Sequence, residues 1–240
     1  MTETLKLPTK KVEASRINPK RLVLYSKPKT GKTTALANLE NNLILDFENG
    51  SDYVDALKVK ISNLEELKEI GQQIKAANYP YKYISIDTVT MLEDMILPQA
   101  LKLYQKTPMG KNYNDDVLKL PQGAGYLYLR EAFFSVLDYI DTLAPHIILS
   151  GHIRDKVVDD TGKLVEASSI DLKGKIRSLI CSQSDAVGYV YRKDKQTFIS
   201  FKSNDEITCG ARPDHLKNQE ILLAEEVDGV YKTYWEKIYK

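Results

Sequence analysis

Nine residues near the start of the chain, Ser26-Lys27-Pro28-Lys29-Thr30-Gly31-Lys32-Thr33-Thr34, constrain it more than any others. They follow the apolar run Leu22-Val23-Leu24-Tyr25 and precede the helix-forming run Ala35-Leu36-Ala37-Asn38-Leu39. A strand, a tight loop ending in Gly-Lys-Thr and a helix make a cradle for phosphate. Backbone N–H groups point into the loop, and the helix start adds partial positive charge. In such a loop Lys32 reaches the β- and γ-phosphates and the Thr33 hydroxyl ligates Mg²⁺. Ser26 through Thr34 are therefore the expected nucleotide-binding set. The full pattern opens on glycine, which relieves the steric cost of a tight turn; here that position is Ser26. A surface Gly-Lys-Thr that binds nothing is the alternative, and the flanking strand and helix weigh against it.

The apolar and charged fractions, 42% and 28%, are those of an ordinary globular protein. The 240 residues suffice for one sizeable core or two small ones. No apolar run is long enough to span a bilayer, and Met1 to Lys6 lacks the apolar core of a signal peptide. Cys181 and Cys209 give neither a disulfide framework nor metal-ligand spacing, so a reducing, cytoplasmic setting is expected. A net charge of +1 excludes a uniformly basic nucleic-acid binder. Residues 1–32 are nevertheless basic, with Lys6, Lys10, Lys11, Arg16, Lys20, Arg21, Lys27, Lys29 and Lys32 against Glu3 and Glu13. Residues 1–20 read as a flexible basic arm, either a contact for phosphates or a soluble tail, and 21–240 as one domain.

Beyond the loop, apolar runs alternate with helical patterns. Leu43–Asp46, Tyr83–Asp87 and His146–Ser150 read as buried strands, and 64–77 as an amphipathic helix. Val89–Leu103 is predicted as a helix kinked at Pro98, 104–125 as a long loop, and Tyr126–Leu143 as a strong amphipathic helix. Strands separated by helices predict an α/β fold, a mostly parallel sheet with helices on both faces. After Gly151 two hairpins are predicted, 157–165 and 186–201, adding antiparallel strands at the C-terminal end.

Phosphate chemistry needs more than a cradle. Asp87 closes an apolar strand and suits the carboxylate on the Mg²⁺ side, or simply caps the helix that follows. Glu48, in Asp46-Phe47-Glu48, stands beyond a strand end where it could polarise a water; the alternative is a loop carboxylate before the Asn49-Gly50 turn. His152 follows its strand at the same sheet edge and could donate to the γ-phosphate, or be an ordinary loop histidine.

The order of Ser26–Thr33, Asp46-Phe47-Glu48, Tyr83–Thr88 and Ile147-Ile148-Leu149-Ser150-Gly151-His152 resembles the RecA-type P-loop ATPase core. More narrowly it resembles a phage-encoded P-loop AAA family that includes RecA-like single-strand annealing proteins. Asp171–Arg177 and Ser184–Tyr189 are similar to that family's C-terminal half, so the resemblance covers about residues 20–215. It implies a RecA-like P-loop NTPase fold and a Mg²⁺-dependent ATPase. Lys32 and Thr33 would sit on phosphate and metal, with Asp87 as the second acid. Glu48 would be the catalytic carboxylate and His152 the γ-phosphate sensor. The preference for ATP, a phage host's cytoplasm and assembly into a ring or short filament come from the resemblance alone. The chain departs from it at Ser26 and carries no separate DNA-binding or oligomerisation domain within these 240 residues.

Single-stranded DNA is the expected partner, with a single-strand-binding protein or a helicase as a further one. Two segments suit DNA. One is 104–128, with Lys106, Lys111 and Tyr113; lysines reach phosphates and tyrosines stack on bases. The other is 153–177, with Arg154, Lys156, Lys173, Lys175 and Arg177, directly after His152. Either could instead offer a cation to a neighbouring subunit's phosphate, and Lys173, Lys175 and Arg177 could be a solvated helix face. The sequence thus predicts a DNA-stimulated ATPase in annealing or recombination. A nucleotide-gated helicase loader or regulator, and a small-molecule kinase, are the alternatives.

Overall fold

Strands that are apolar along their whole length need cover on both sides, and here they have it. The structure, a computed structural model, describes residues 7–240. Its first half runs β1 (Arg21–Ser26), α1 (Lys32–Ala37), β2 (Asn42–Asp46), β3 (Leu57–Lys60), α2 (Leu64–Ala76), β4 (Tyr83–Asp87), α3 (Val89–Met95), α4 (Leu97–Gln105), α5 (Gly125–Ile140) and β5 (His146–Arg154). Then come β6 (Val157–Val158), β7 (Leu164–Glu166), β8 (Ser169–Ile170), α6 (Ile176–Gln183), β9 (Ala186–Lys193), β10 (Gln196–Ser200), β11 (Gly210–Ala211), β12 (Glu220–Val227) and β13 (Val230–Thr233).

β1, β2 and β4 are buried at every position, as strands of a doubly covered parallel sheet must be. The main sheet has the order β13-β12-β10-β9-β1-β5-β4-β2-β3, with β11 on β9 and β8 on β5. From β9 to β3 all neighbours are parallel. β10, β12 and β13 continue the sheet antiparallel. Successive strand residues point to opposite faces, which divides the interior in two. Val23 and Tyr25 of β1 pack under α2 to α6, with Leu67, Leu92, Phe133, Leu137 and Ile180. Leu22 and Leu24 face the other way, toward Leu36 of α1 and toward Trp235 and Ile238 near the end of the chain. The architecture is the one the sequence predicts.

Local differences have physical causes. β3 is a short edge strand, Leu57-Lys58-Val59-Lys60, whose lysines protect an open edge and mask the apolar signal. The predicted helix over Val89–Leu103 is two helices divided at Ile96. Pro98 lies in the first turn of α4, where its missing N–H has no helical partner to lose, so it opens a helix rather than kinking one. The predicted 104–125 loop begins inside α4 and holds two 3-10 turns, Val117–Lys119 and Pro121–Gly123. The 157–165 hairpin forms a separate two-stranded sheet of β6 and β7.

Of the predicted arm, residues 1–6, with Glu3 and Lys6, lie outside the described residues; 7–17 are exposed and carry no helix or strand. Asn18 exchanges two hydrogen bonds with Lys240, at 2.7 and 2.8 Å. Among the described residues no helix is long and apolar enough to cross a membrane.

Phe133, wholly buried at the centre of α5, anchors this helix against the sheet. Phe133→Ala is expected to cost about 4 kcal/mol of folding stability through lost burial and the cavity left behind. The shift of the urea unfolding midpoint measures it.

Candidate active site

Strand pairing brings the chemistry-bearing residues to one edge. β1 against β5 sets Ser26 opposite His152. β2 against β4 sets Asp46 opposite Asp87, and β4 against β5 sets Asp87 opposite Ser150. This row lies at the carboxyl ends of parallel strands, where open α/β sheets gather their ligands.

The loop after β1 turns through Lys29 at φ 63° and Gly31 at φ 91°. Left-handed backbone thus falls at 29 and 31 and not at 26, so glycine is needed at 31 while serine serves at 26. The buried Ser26 side chain braces the loop from inside. Its Oγ donates to Lys27 O at 2.8 Å, accepts from Lys32 Nζ at 2.6 Å, and contacts Thr30 Oγ1. Lys27, Pro28 and Lys29 are exposed. The Thr34 carbonyl accepts from Asn38 at the end of α1.

Two ionisable groups lie deep in this edge. Burial lowers the pKa of the Lys32 ammonium, opposed by the nearby Asp87 and Glu48 carboxylates. Burial raises the Asp87 carboxyl, opposed by the Thr33 hydroxyl and by Lys32. Thr33 Oγ1 donates to Asp87 Oδ2 at 2.6 Å. Asp87 is therefore turned to the loop, and the N-cap of α3 is Thr88. A hydroxyl and a carboxylate side by side are hard oxygen donors, which fits Mg²⁺ completed by water and phosphate. Among the described residues no cluster of three or more His, Cys, Asp or Glu could hold a metal by itself.

Glu48 stands on a loop that sequence reasoning left without an anchor. The anchor is Asp46. Its Oδ1 accepts from Glu48 N at 3.1 Å and Gly50 N at 3.3 Å; its Oδ2 accepts from Ser51 N at 3.1 Å and Ser51 Oγ at 2.5 Å. An aspartate just before an Asn-Gly turn is the signal that could have found it. Glu48 Oε1 lies 3.2 Å from His152 Nε2. Nδ1 of that ring is buried with no partner among the described residues. The loop 26–34, Asp87, Glu48 and His152 thus come together at one sheet edge.

Residues 18–213 match the AAA domain family. The chain belongs to that family. Its fold is mixed α/β, a mostly parallel sheet with helices and added antiparallel strands. Two solved structures are similar in outline. A KaiC-like protein from the hyperthermophilic archaeon Pyrococcus horikoshii OT3 is 13% identical at a TM-score of 0.45, covering 90% of this chain and 89% of its own. The RadB recombinase is 10% identical at a TM-score of 0.46, covering 91% and 92%. No curated protein matches the chain.

The two candidate DNA segments of this AAA domain touch. Tyr126 packs on Gly174, within 3.1 Å of where a Cβ would stand. Most of their cations are engaged. Lys173 pairs with Glu93 and Asp94, Arg154 and Arg177 with Glu166, and Lys156 with Glu206. Tyr113 donates its hydroxyl to Asp116 O and meets Tyr104 edge-on. Lys106, Lys111 and Lys175 are exposed and have no ion pair among the described residues.

Burial of Asp87 works against its ionised form. Its folded-state pKa lies above the ordinary 3.8, so between the two values the folded form holds more protons than the unfolded one. Stability therefore falls as pH rises through that window and stays lower above it. Asp87→Asn removes this cost. At pH 7 it is expected to raise the thermal midpoint of the nucleotide-free protein by about 2–4 °C, the shift that roughly 1 kcal/mol gives at this size, while abolishing Mg²⁺-dependent turnover. Calorimetry and a phosphate-release assay check the two halves.

Proposed function

We propose that the protein is a Mg²⁺-dependent ATPase whose turnover is coupled to single-stranded DNA in annealing or recombination. The observation that carries the reading is the single row at the sheet edge. The phosphate-type loop, the Thr33–Asp87 pair and the Glu48–His152 pair converge there from four strands. In this reading residues 21–240 are the ATPase unit and 1–20 a basic arm, acting in the cytoplasm, with a phage origin supported by the resemblance alone.

The loop 26–34 holds the phosphates through backbone N–H groups. Lys32 leaves the Ser26 hydroxyl to neutralise the β/γ oxygens. Thr33 and Asp87 would hold Mg²⁺, which would polarise the phosphate oxygens. Glu48, held by its anchored loop, accepts a proton from the attacking water. His152 exchanges its contact with Glu48 for the γ-phosphate and transmits the change along β5, whose end pairs with β8 at Ile153↔Ile170. That route reaches the 153–177 segment and, through Gly174 and Tyr126, the 104–128 segment. DNA would lie across both, with exposed Lys106, Lys111 and Lys175 on phosphates and tyrosines against bases. The paired Arg154, Lys156, Lys173 and Arg177 would contribute only by giving up carboxylate partners. A ring or short filament, with nucleotide at a subunit boundary, completes the proposal.

The deciding experiment measures phosphate release with and without single-stranded DNA. Lys32→Ala is expected to abolish nucleotide binding or turnover; unchanged hydrolysis would refute the site. Glu48→Gln is expected to keep ATP binding and slow hydrolysis at least about 100-fold. Hydrolysis indifferent to DNA and raised by a protein partner would favour a loader or regulator, and phosphoryl transfer to a small acceptor a kinase.

For the DNA surface, a Lys106→Glu/Lys111→Glu double variant is expected to weaken single-strand binding about tenfold at low salt and to flatten its salt dependence. Fluorescence anisotropy over a salt series reads both, and an unchanged slope would place DNA elsewhere.

A further inference from the structure

The family match ends at residue 213, so family membership assigns nothing to β12, β13 and the 3-10 turn Trp235–Lys237. Yet this part of the chain lies on the phosphate-type loop. Tyr231 Oη stands 3.6 Å from the point a Cβ on Gly31 would occupy, and Thr197 Oγ1 of β10 stands 3.7 Å from it. Thr197 Oγ1 is turned to Thr30 O at 3.5 Å. Thr233 Oγ1 reaches Asn38 O, at the end of α1, at 3.4 Å. Trp235 Nε1 donates to Ala35 O, in the middle of α1, at 2.8 Å in a buried setting. Ala35 N in turn is bonded to Gly31 O at 2.9 Å.

Two physical points give these contacts meaning. α1 has six residues, far too few to hold helical structure unaided, so its position is set by what packs on it. The Tyr231 hydroxyl is buried against the loop with the Thr197 hydroxyl beside it. Both hydroxyls stand over the backbone of residues 30–31, so a movement of the loop moves against them.

We propose that the β12–β13 hairpin with Trp235 is a strap that sets the loop and α1 for nucleotide, and that Tyr231 is its positioning residue. When the loop holds phosphate, the Tyr231 hydroxyl hydrogen-bonds a backbone group of residues 30–31 and keeps the loop in its binding shape. The strap acts through the loop and makes no contact with the reacting atoms. The proposal rests on the reading of 26–34 as a nucleotide site.

The test uses the full chain, a fluorescent ATP analogue and the intrinsic emission of Trp235, the chain's one tryptophan. Tyr231→Phe keeps the ring and removes the hydroxyl. It is expected to raise the dissociation constant of the analogue and the KM about fivefold, the factor of one hydrogen bond of about 1 kcal/mol. Turnover at saturation is expected to stay within about twofold, and the thermal midpoint measured without nucleotide to hold. Nucleotide is expected to change Trp235 emission in the natural protein and to leave it unchanged in Lys32→Ala. Wild-type affinity in Tyr231→Phe, or Trp235 emission blind to bound nucleotide, overturns the strap and leaves the nucleotide site standing. A lowered midpoint with unchanged affinity shows a structural tyrosine and also overturns it. Failure of the natural protein to bind nucleotide at all overturns the site and the strap together.

Discussion

An ammonium and a carboxylate, Lys32 and Asp87, are buried at the edge of an otherwise apolar sheet, and the surrounding structure compensates for their desolvation. Each is pushed toward its neutral form by burial and held back by the other's charge. The partners of both groups come from the strand register: Ser26 beneath the ammonium, Thr33 on the carboxylate. Slipping a parallel strand by one residue would send these groups to the wrong face. The near-continuous apolar runs of β1, β2 and β4 hold the strands in the stack by burial on both sides. A slip is opposed by the polar end groups, which would lose their partners. The core is in this sense the positioning device of the polar edge.

The same edge shows how a residue type that breaks a pattern can keep its geometry. The strained backbone of the loop sits at Lys29 and Gly31. Position 26 needs no conformational freedom, and a hydroxyl there does what glycine cannot, accepting a hydrogen bond from the Lys32 ammonium. A departure from a sequence pattern was therefore a change in side-chain contacts and not in loop shape.

Much of this was readable from the chain. The runs 22–25, 43–46, 83–87 and 146–150 gave the parallel core because strands covered on two faces must be apolar throughout, and the acids and histidine at their ends gave the row. What was not readable depends on distance along the chain. β3 hid behind its lysines. Pro98 could bend a helix or open one, and only the packing of α3 and α4 chose. The ion pairs that occupy Lys173 and Lys156, with Glu93 and Glu206, join residues far apart in sequence, so counting cations overstated the charge open to a polyanion. Asp46 was in view but its role needed the turn at Ser51. The contacts of Thr197, Tyr231 and Trp235 on α1 left no local signal at all.

The bond from Trp235 to Ala35 joins residues 200 positions apart, and β1 lies between β5 and β9. A growing chain thus emits its phosphate-type loop early and cannot assemble the surroundings of that loop until nearly everything downstream has been made. Such non-local closure is slow, and during synthesis it leaves β1 without the neighbours that bury it. A product cut short before residue 235 would carry the whole loop sequence without the lattice that shapes it. Interrupted translation would yield fragments bearing the motif but not its architecture.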